Sequence, residues 1–121
     1  MKVKIDTKEK MHVITLEEQH LTENMTGDLE KIILEILDKP VKNVVVNFVN
    51  VQQIELSPAN ALVSVQQAFY DANHSMVFCN LHDSVSGFLD KNELLELFNV
   101  TPTESEAWDM VQMEEIEREY L

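Results

Sequence analysis

The chain has 121 residues, which suits one domain of ordinary size and is too short for two independent cores. It carries 22 Asp and Glu against 9 Lys and Arg, a formal net charge of −13 at pH 7, and no basic stretch. Binding to nucleic acid or to an anionic membrane surface is therefore disfavoured, since both need clustered positive charge. Hydrophobic residues make up 45% of the chain, which is enough apolar surface for a folded domain.

The low counts of cysteine and glycine exclude several kinds of structural and binding site. One cysteine leaves no internal disulfide and no cysteine-rich zinc site, and two glycines leave no glycine-rich phosphate loop. The N-terminal MKVKIDTKEK lacks the apolar core of a signal peptide, and no run approaches the roughly 20 apolar residues of a membrane span. We therefore expect a cytoplasmic protein without a cofactor.

The first third of the chain predicts a hairpin followed by a helix. Val3 and Ile5 alternate with polar residues, and residues 13–16 form a second apolar stretch after the polar segment 7–10. From about Thr22 the apolar spacing changes to that of one helix face, carried by Leu29, Ile32, Ile33, Ile36 and Leu37. Pro40 is predicted to end this helix.

The middle of the chain has the pattern of two parallel strands joined by a helix. Residues 43–49, NVVVNFV, are β-branched and aromatic without interruption, which is typical of a strand covered on both faces. Ser57 before Pro58 predicts a helix start with Ser57 as the capping residue. The predicted buried stripe of that helix is Leu62, Val65, Phe69 and Ala72, and a second buried strand follows at residues 76–79.

The last third predicts short helices and a longer final one. Asp83 or Ser84 is suited to cap a helix that carries Val85, Phe88 and Leu89, and an apolar turn follows with Leu94, Leu95 and Phe98. Thr103 and Glu106 have the spacing of a capping box at the start of the final helix, for which Trp108 and Val111 are predicted to face inward. Residues 114–121 are too polar for the core and are predicted to form an acidic tail.

No catalytic constellation is visible in the sequence. The four histidines share no metal-ligand spacing, and Cys79 lies in an apolar run that predicts burial rather than reactivity. Adjacent carboxylates such as Glu17 and Glu18 are expected on the surface of so acidic a chain. We therefore expect a protein that is not an enzyme and holds no metal.

The order of these elements resembles the STAS domain, a family named for sulfate transporters and anti-sigma factor antagonists. The resemblance runs from about Met11 to Glu115, and its most specific strings are MVFCNL at 76–81, LLELF at 94–98 and the opening of the final helix at 102–107. It implies one α/β domain over residues 1–121, with a four- to five-stranded mixed sheet flanked by about four helices. It also implies a protein-binding role.

The family's regulatory signature is Asp-Ser-Ser/Thr-Gly before a helix, and its first Ser is phosphorylated by a partner kinase that is also the anti-sigma factor. By the resemblance, Glu55, Leu56, Ser57 and Pro58 occupy these four positions, so Leu56 stands where the phosphoacceptor is expected. The family's acidic residue at the start of the first helix falls on Thr22. Ser57 is then either a displaced phosphoacceptor or an ordinary helix cap.

We therefore expect a partner-binding surface on the loop and helix start at 53–60 and on nearby loop tips, formed by Glu55, Leu56, Ser57, Pro58, Asn60, Thr22 and His82. The expected partner is a regulatory protein such as an anti-sigma factor kinase, bound by a monomer or weak homodimer through an apolar Leu56. Two alternatives stay open. One is an accessory subunit of a membrane ABC transporter, and the other is a sensor of a small ligand or nucleotide.

Overall fold

The structure is a computed structural model that describes residues 1–120. Its seven strands are β1 (Val3–Thr7), β2 (His12–Leu16), β3 (His20–Leu21), β4 (Val44–Asn47), β5 (Gln53–Ile54), β6 (Met76–Cys79) and β7 (Val100–Thr101). Its four α-helices are α1 (Thr26–Leu34), α2 (Leu56–Asp71), α3 (Asp83–Lys91) and α4 (Glu104–Glu119). Short 3₁₀ helices cover Glu23–Met25, Glu35–Asp38 and Leu95–Leu97. The helix predicted from Thr22 to Pro40 is thus α1 with a 3₁₀ helix at each end.

Five of the strands form a mixed sheet in the order β1-β2-β4-β6-β7. β1 and β2 pair antiparallel, with Val3 opposite Leu16, which confirms the predicted hairpin. The other neighbours pair parallel, and all four residues of the central strand β4 are buried, as the run of valines predicted. β3 and β5 form a separate two-stranded sheet. These two strands and β7 have two residues each, too few to show a period in the sequence.

The sheet buries both of its faces, because alternate residues of each strand point to opposite sides. One face packs under α1, α2 and α3, and its core residues include Ile14, Val46, Phe78, Leu62, Phe69 and Leu89. The other face packs under α4 alone, through Val13, Val45, Val77, Cys79, Ala107 and Val111. Burial of each large apolar side chain contributes about 2 kcal/mol. Ala72, predicted as part of the α2 stripe, is instead exposed at the end of that helix.

The start of α4 confirms one prediction and corrects another. The Thr103 hydroxyl accepts a hydrogen bond of 3.2 Å from the backbone N–H of Glu106, which is the predicted cap. Trp108, however, is 45% exposed, so its predicted inward position is wrong. The inward face of α4 is made by the smaller Ala107 and Val111. Trp108 lies at the edge of that face and lines a groove with Met11 and Val13.

The acidic end of the chain continues α4 as far as Glu119, so these residues form a helix rather than a separate tail. The Tyr70 hydroxyl and the Ser75 hydroxyl donate hydrogen bonds of 2.8 and 2.6 Å to one carboxylate oxygen of Glu114. The Arg118 guanidinium in turn donates to the Ser75 hydroxyl at 2.7 Å. The second half of α4 is therefore tied to the start of β6. Leu121 lies outside the described residues.

Candidate functional site

The predicted binding segment lies where β2, β4 and β6 reach their carboxyl ends, the edge at which α/β sheets commonly bind ligands. There β3 and β5 pair in parallel, with His20 beside Gln53 and Leu21 beside Ile54. The backbone N–H of Glu55 then donates to the carbonyl of Leu21 at 2.9 Å. These bonds hold the loop before α1 directly against the start of α2.

Glu55 occupies the N-cap position of α2, but its side chain does not cap that helix. One carboxylate oxygen accepts a hydrogen bond of 2.6 Å from the backbone N–H of Glu23. The other lies 3.9 Å from Nε2 of His20. Since the side chain of Thr22 makes no cap bond, Glu55 supplies the acceptor that the 3₁₀ helix at 23–25 would otherwise lack. The acidic residue thus connects the two predicted loop segments.

The prediction that Ser57 caps α2 is wrong, because the helix begins one residue before it, at Leu56. The Ser57 hydroxyl instead shares a hydrogen bond of 3.0 Å with the hydroxyl of Thr26, at the start of α1. Pro58 is the third helical residue and is buried. Its missing N–H has no cost there, since the first four N–H groups of a helix lack intrahelical partners.

Leu56 projects at the start of α2 and is 47% exposed. It borders an open groove of about 780 Å³ that is lined by Glu23, Ile54, Glu55, Leu56, Ser57, Asn60, Phe88 and Asn92. Three apolar side chains line it, the exposed Leu56, the half-buried Phe88 and the buried Ile54, and carboxylates and amides surround them. That composition suits an apolar partner side chain with polar or basic neighbours.

Thr22 and His82 have supporting positions. Thr22 directly precedes the 3₁₀ helix whose first N–H is held by Glu55. The His82 ring donates from Nε2 to the carbonyl of Val49 at 2.7 Å, and the Ser84 hydroxyl donates to the carbonyl of Gln52 at 2.7 Å. Neither Thr22 nor His82 lines the groove. The start of α3 therefore fixes the loop that leads into β5.

Glu23 and Phe88 line the groove and were not among the predicted site residues. Phe88 was predicted only as one of the apolar residues of a short helix, at helical spacing from Val85. In the structure Val85 and Leu89 are buried and Phe88 lies at the edge of the stripe, beside the groove. Glu23 is brought to the groove by the pairing of β3 with β5 and by its hydrogen bond to Glu55, which are long-range contacts that no local pattern indicates.

Within residues 1–120 no three His, Cys, Asp or Glu side chains are grouped so that they could hold a metal ion. Cys79 is buried in β6, as predicted. Burial, with a smaller contribution from Glu104, raises the pKa of its thiol to about 12. The thiol is therefore protonated at neutral pH. None of the helices in the described part of the chain is long and apolar enough to cross a membrane.

The family model described as STAS domain matches residues 2–107, so this chain belongs to the STAS domain family. The mixed sheet and four helices are those of the STAS fold, as predicted. No curated protein sequence is a match.

Several solved structures are similar to the chain. The anti-sigma factor antagonist SpoIIAA in its unphosphorylated form is 18% identical, with a TM-score of 0.72 and coverage of 92% of this chain and 96% of that one. RsbS from Moorella thermoacetica is 15% identical, with a TM-score of 0.75 and coverage of 93% and 96%. The murine anion transporter solute carrier 26 family member A9 is 15% identical, with a TM-score of 0.71 and coverage of 86% of this chain but 18% of the transporter. At these identities the likeness concerns the fold.

Proposed function

We propose that this chain is a non-enzymatic regulatory module that binds a protein partner through the start of α2, in the manner of an anti-sigma factor antagonist. The observation that carries the proposal is the exposure of Leu56 beside an open, partly apolar groove. An apolar side chain at the first turn of a helix, held in place by Glu55 and Ser57, suits an anchor for a partner's pocket. The similarity of the fold to SpoIIAA supports a partner of the kind that such antagonists bind.

The side chain at position 56 decides how such binding is regulated. Leucine has no hydroxyl, so phosphorylation at this position cannot add the charge that would repel a partner. Burial of the exposed part of Leu56 contributes up to about 2 kcal/mol, or more than a tenfold change in affinity. We therefore expect no phosphorylation switch at position 56 itself.

Affinity purification from the source cells tests the proposal, with wild-type protein, Leu56→Asp and Leu97→Asp as baits. Leu97 is 50% exposed, close to the value for Leu56, and lies in the 3₁₀ helix at 95–97. The proposal predicts a regulatory protein that co-purifies with wild type and Leu97→Asp and is depleted with Leu56→Asp. Equal recovery on all three baits would count against the site.

Ser57 is proposed as a second, modifiable position. A phosphate there would lie in the first turn of α2, where free N–H groups favour an anion, and it would break the hydroxyl contact with Thr26. The neighbouring Glu55 carboxylate opposes it, since like charges repel. Phosphopeptide mapping of protein from its native cells decides the matter. Absence of phosphate from Ser57 under all growth conditions would contradict this proposal. Ser57 would then have a structural role alone, through its hydrogen bond to Thr26.

A second candidate function is that of an accessory subunit of a membrane transporter. It is favoured by the likeness of the fold to one part of the murine anion transporter. The same purification distinguishes the two candidate functions. A transporter subunit would co-purify with a membrane protein from detergent extracts, whereas a regulator would co-purify with a protein of the aqueous fraction.

A further inference from the structure

The outward face of α4 carries a stripe of exposed apolar side chains. Met113 is 60% exposed, Ile116 is 55% exposed, and Tyr120, the residue directly after the helix, is 83% exposed. Residues spaced by three and four positions lie on one side of a helix, so these three form a continuous stripe. α4 is therefore apolar on both sides, since Ala107 and Val111 cover the sheet. Contacts within the chain bury the apolar residues on the inward side of α4 and leave those on its outward side uncovered.

Carboxylates flank this stripe and have no ion-pair partner. Helix geometry places Asp109 in line with it, Glu106 and Glu117 along one side, and Glu119 along the other. None of these four makes an ion pair within residues 1–120. The only basic residue of α4 is Arg118, which is turned inward and donates to the Ser75 hydroxyl. The outward face thus presents apolar contact area bordered by negative charge.

We propose that the outward face of α4 binds a basic amphipathic segment of a partner protein, with apolar residues on the stripe and Lys or Arg against its acidic border. Charge complementarity selects this occupant. A second copy of the chain would bring the same carboxylates face to face, which is repulsive. The stripe and the groove beside Leu56 are separate surfaces, because α4 and α2 pack on opposite faces of the sheet.

Two synthetic peptides test the proposal. One has about 18 residues, enough for five helical turns, with Leu at helical spacing and Lys at the flanking positions. The other is identical except that each Lys is replaced by Glu. We expect the Lys peptide to bind the full chain with a Kd of about 100 μM or lower at 50 mM salt, and binding to weaken several-fold at 300 mM salt. We expect the Glu peptide not to bind, and NMR shift changes to fall on residues 109–120.

Variants of the chain show whether binding of the Lys peptide needs the apolar stripe or only the attraction between opposite charges. Ile116→Ser combined with Tyr120→Ser should weaken binding of the Lys peptide about tenfold, because the apolar contact is lost. Leu97→Ser and Leu56→Asp should leave the affinity unchanged. Equal binding by the double variant would overturn the proposal, as would shift changes centred on the start of α2. Self-association of the free chain that the double variant abolishes would also overturn it, in favour of a second copy.

Discussion

The Glu55 carboxylate accepts a hydrogen bond of 2.6 Å from the backbone N–H of Glu23, although the two residues are 32 positions apart. This bond joins the residue before α2 to the first residue of the 3₁₀ helix that leads into α1. Leu56 follows Glu55 directly, so the same bond fixes the position of the proposed anchor. The loop pair is thus organised by an acidic side chain rather than by a capping hydroxyl.

Replacement of Glu55 by Ala should lower the free energy of unfolding by about 1 kcal/mol, the usual effect of losing a helix-capping acceptor. Glu55→Gln keeps an oxygen that can accept from Glu23 and should lose less than half as much. Urea unfolding followed by circular dichroism measures both values. Equal losses in the two variants would show that the hydrogen bond to Glu23 contributes little.

Loss of the Glu114 side chain should lower stability more than loss of the Glu55 side chain. The Glu114 carboxylate accepts hydrogen bonds from both Tyr70 and Ser75, and these bonds are partly buried. Glu114→Ala should lower the free energy of unfolding by about 2 kcal/mol, since it leaves two hydroxyl donors without this acceptor. Glu117→Ala, on the exposed side of the same helix, is the matched control and should change it by less than about 0.5 kcal/mol. Similar values for the two variants would contradict the anchoring role of Glu114.

Cys79 should resist alkylation in the native protein, because the reactive thiolate is scarce when burial raises the pKa of the thiol to about 12. Iodoacetamide at pH 8 is expected to label the chain only after unfolding in urea, at a rate typical of a free thiol. Mass spectrometry against time measures the reaction. Rapid labelling without denaturant would show that β6 opens to solvent.

Local patterns predicted the parts of the fold that depend on residues close in sequence. The valine run at 43–49 predicted β4, and the spacing of Thr103 and Glu106 predicted the start of α4. Both signals lie within a few residues, and tertiary contacts do not alter them. The family resemblance added the arrangement of the sheet, which periodicity alone cannot supply.

The wrong predictions concern residues whose positions are set by contacts with parts of the chain that are distant in sequence. Ser57 was predicted to cap α2, but its hydroxyl is engaged by Thr26, which is 31 positions earlier in the chain. Trp108 was placed inward on hydrophobicity, whereas the surface under α4 is covered by Ala107 and Val111. Of the predicted site residues, Glu55, Leu56, Ser57 and Asn60 line one groove. Thr22 precedes the 3₁₀ helix at 23–25 without capping it, the His82 ring holds the loop before β5, and Pro58 is buried in α2.

Isothermal titration calorimetry with the purified partner is the sharpest test of Leu56 as the anchor. It compares the Kd for wild-type protein, Leu56→Asp and Leu97→Asp. We expect Leu56→Asp to raise the Kd by at least about tenfold, since an anchor is lost and a charge is buried. We expect the Kd for Leu97→Asp to stay within about twofold of the wild-type value. A Kd for Leu56→Asp within the same twofold range would contradict the assignment of Leu56 as the anchor.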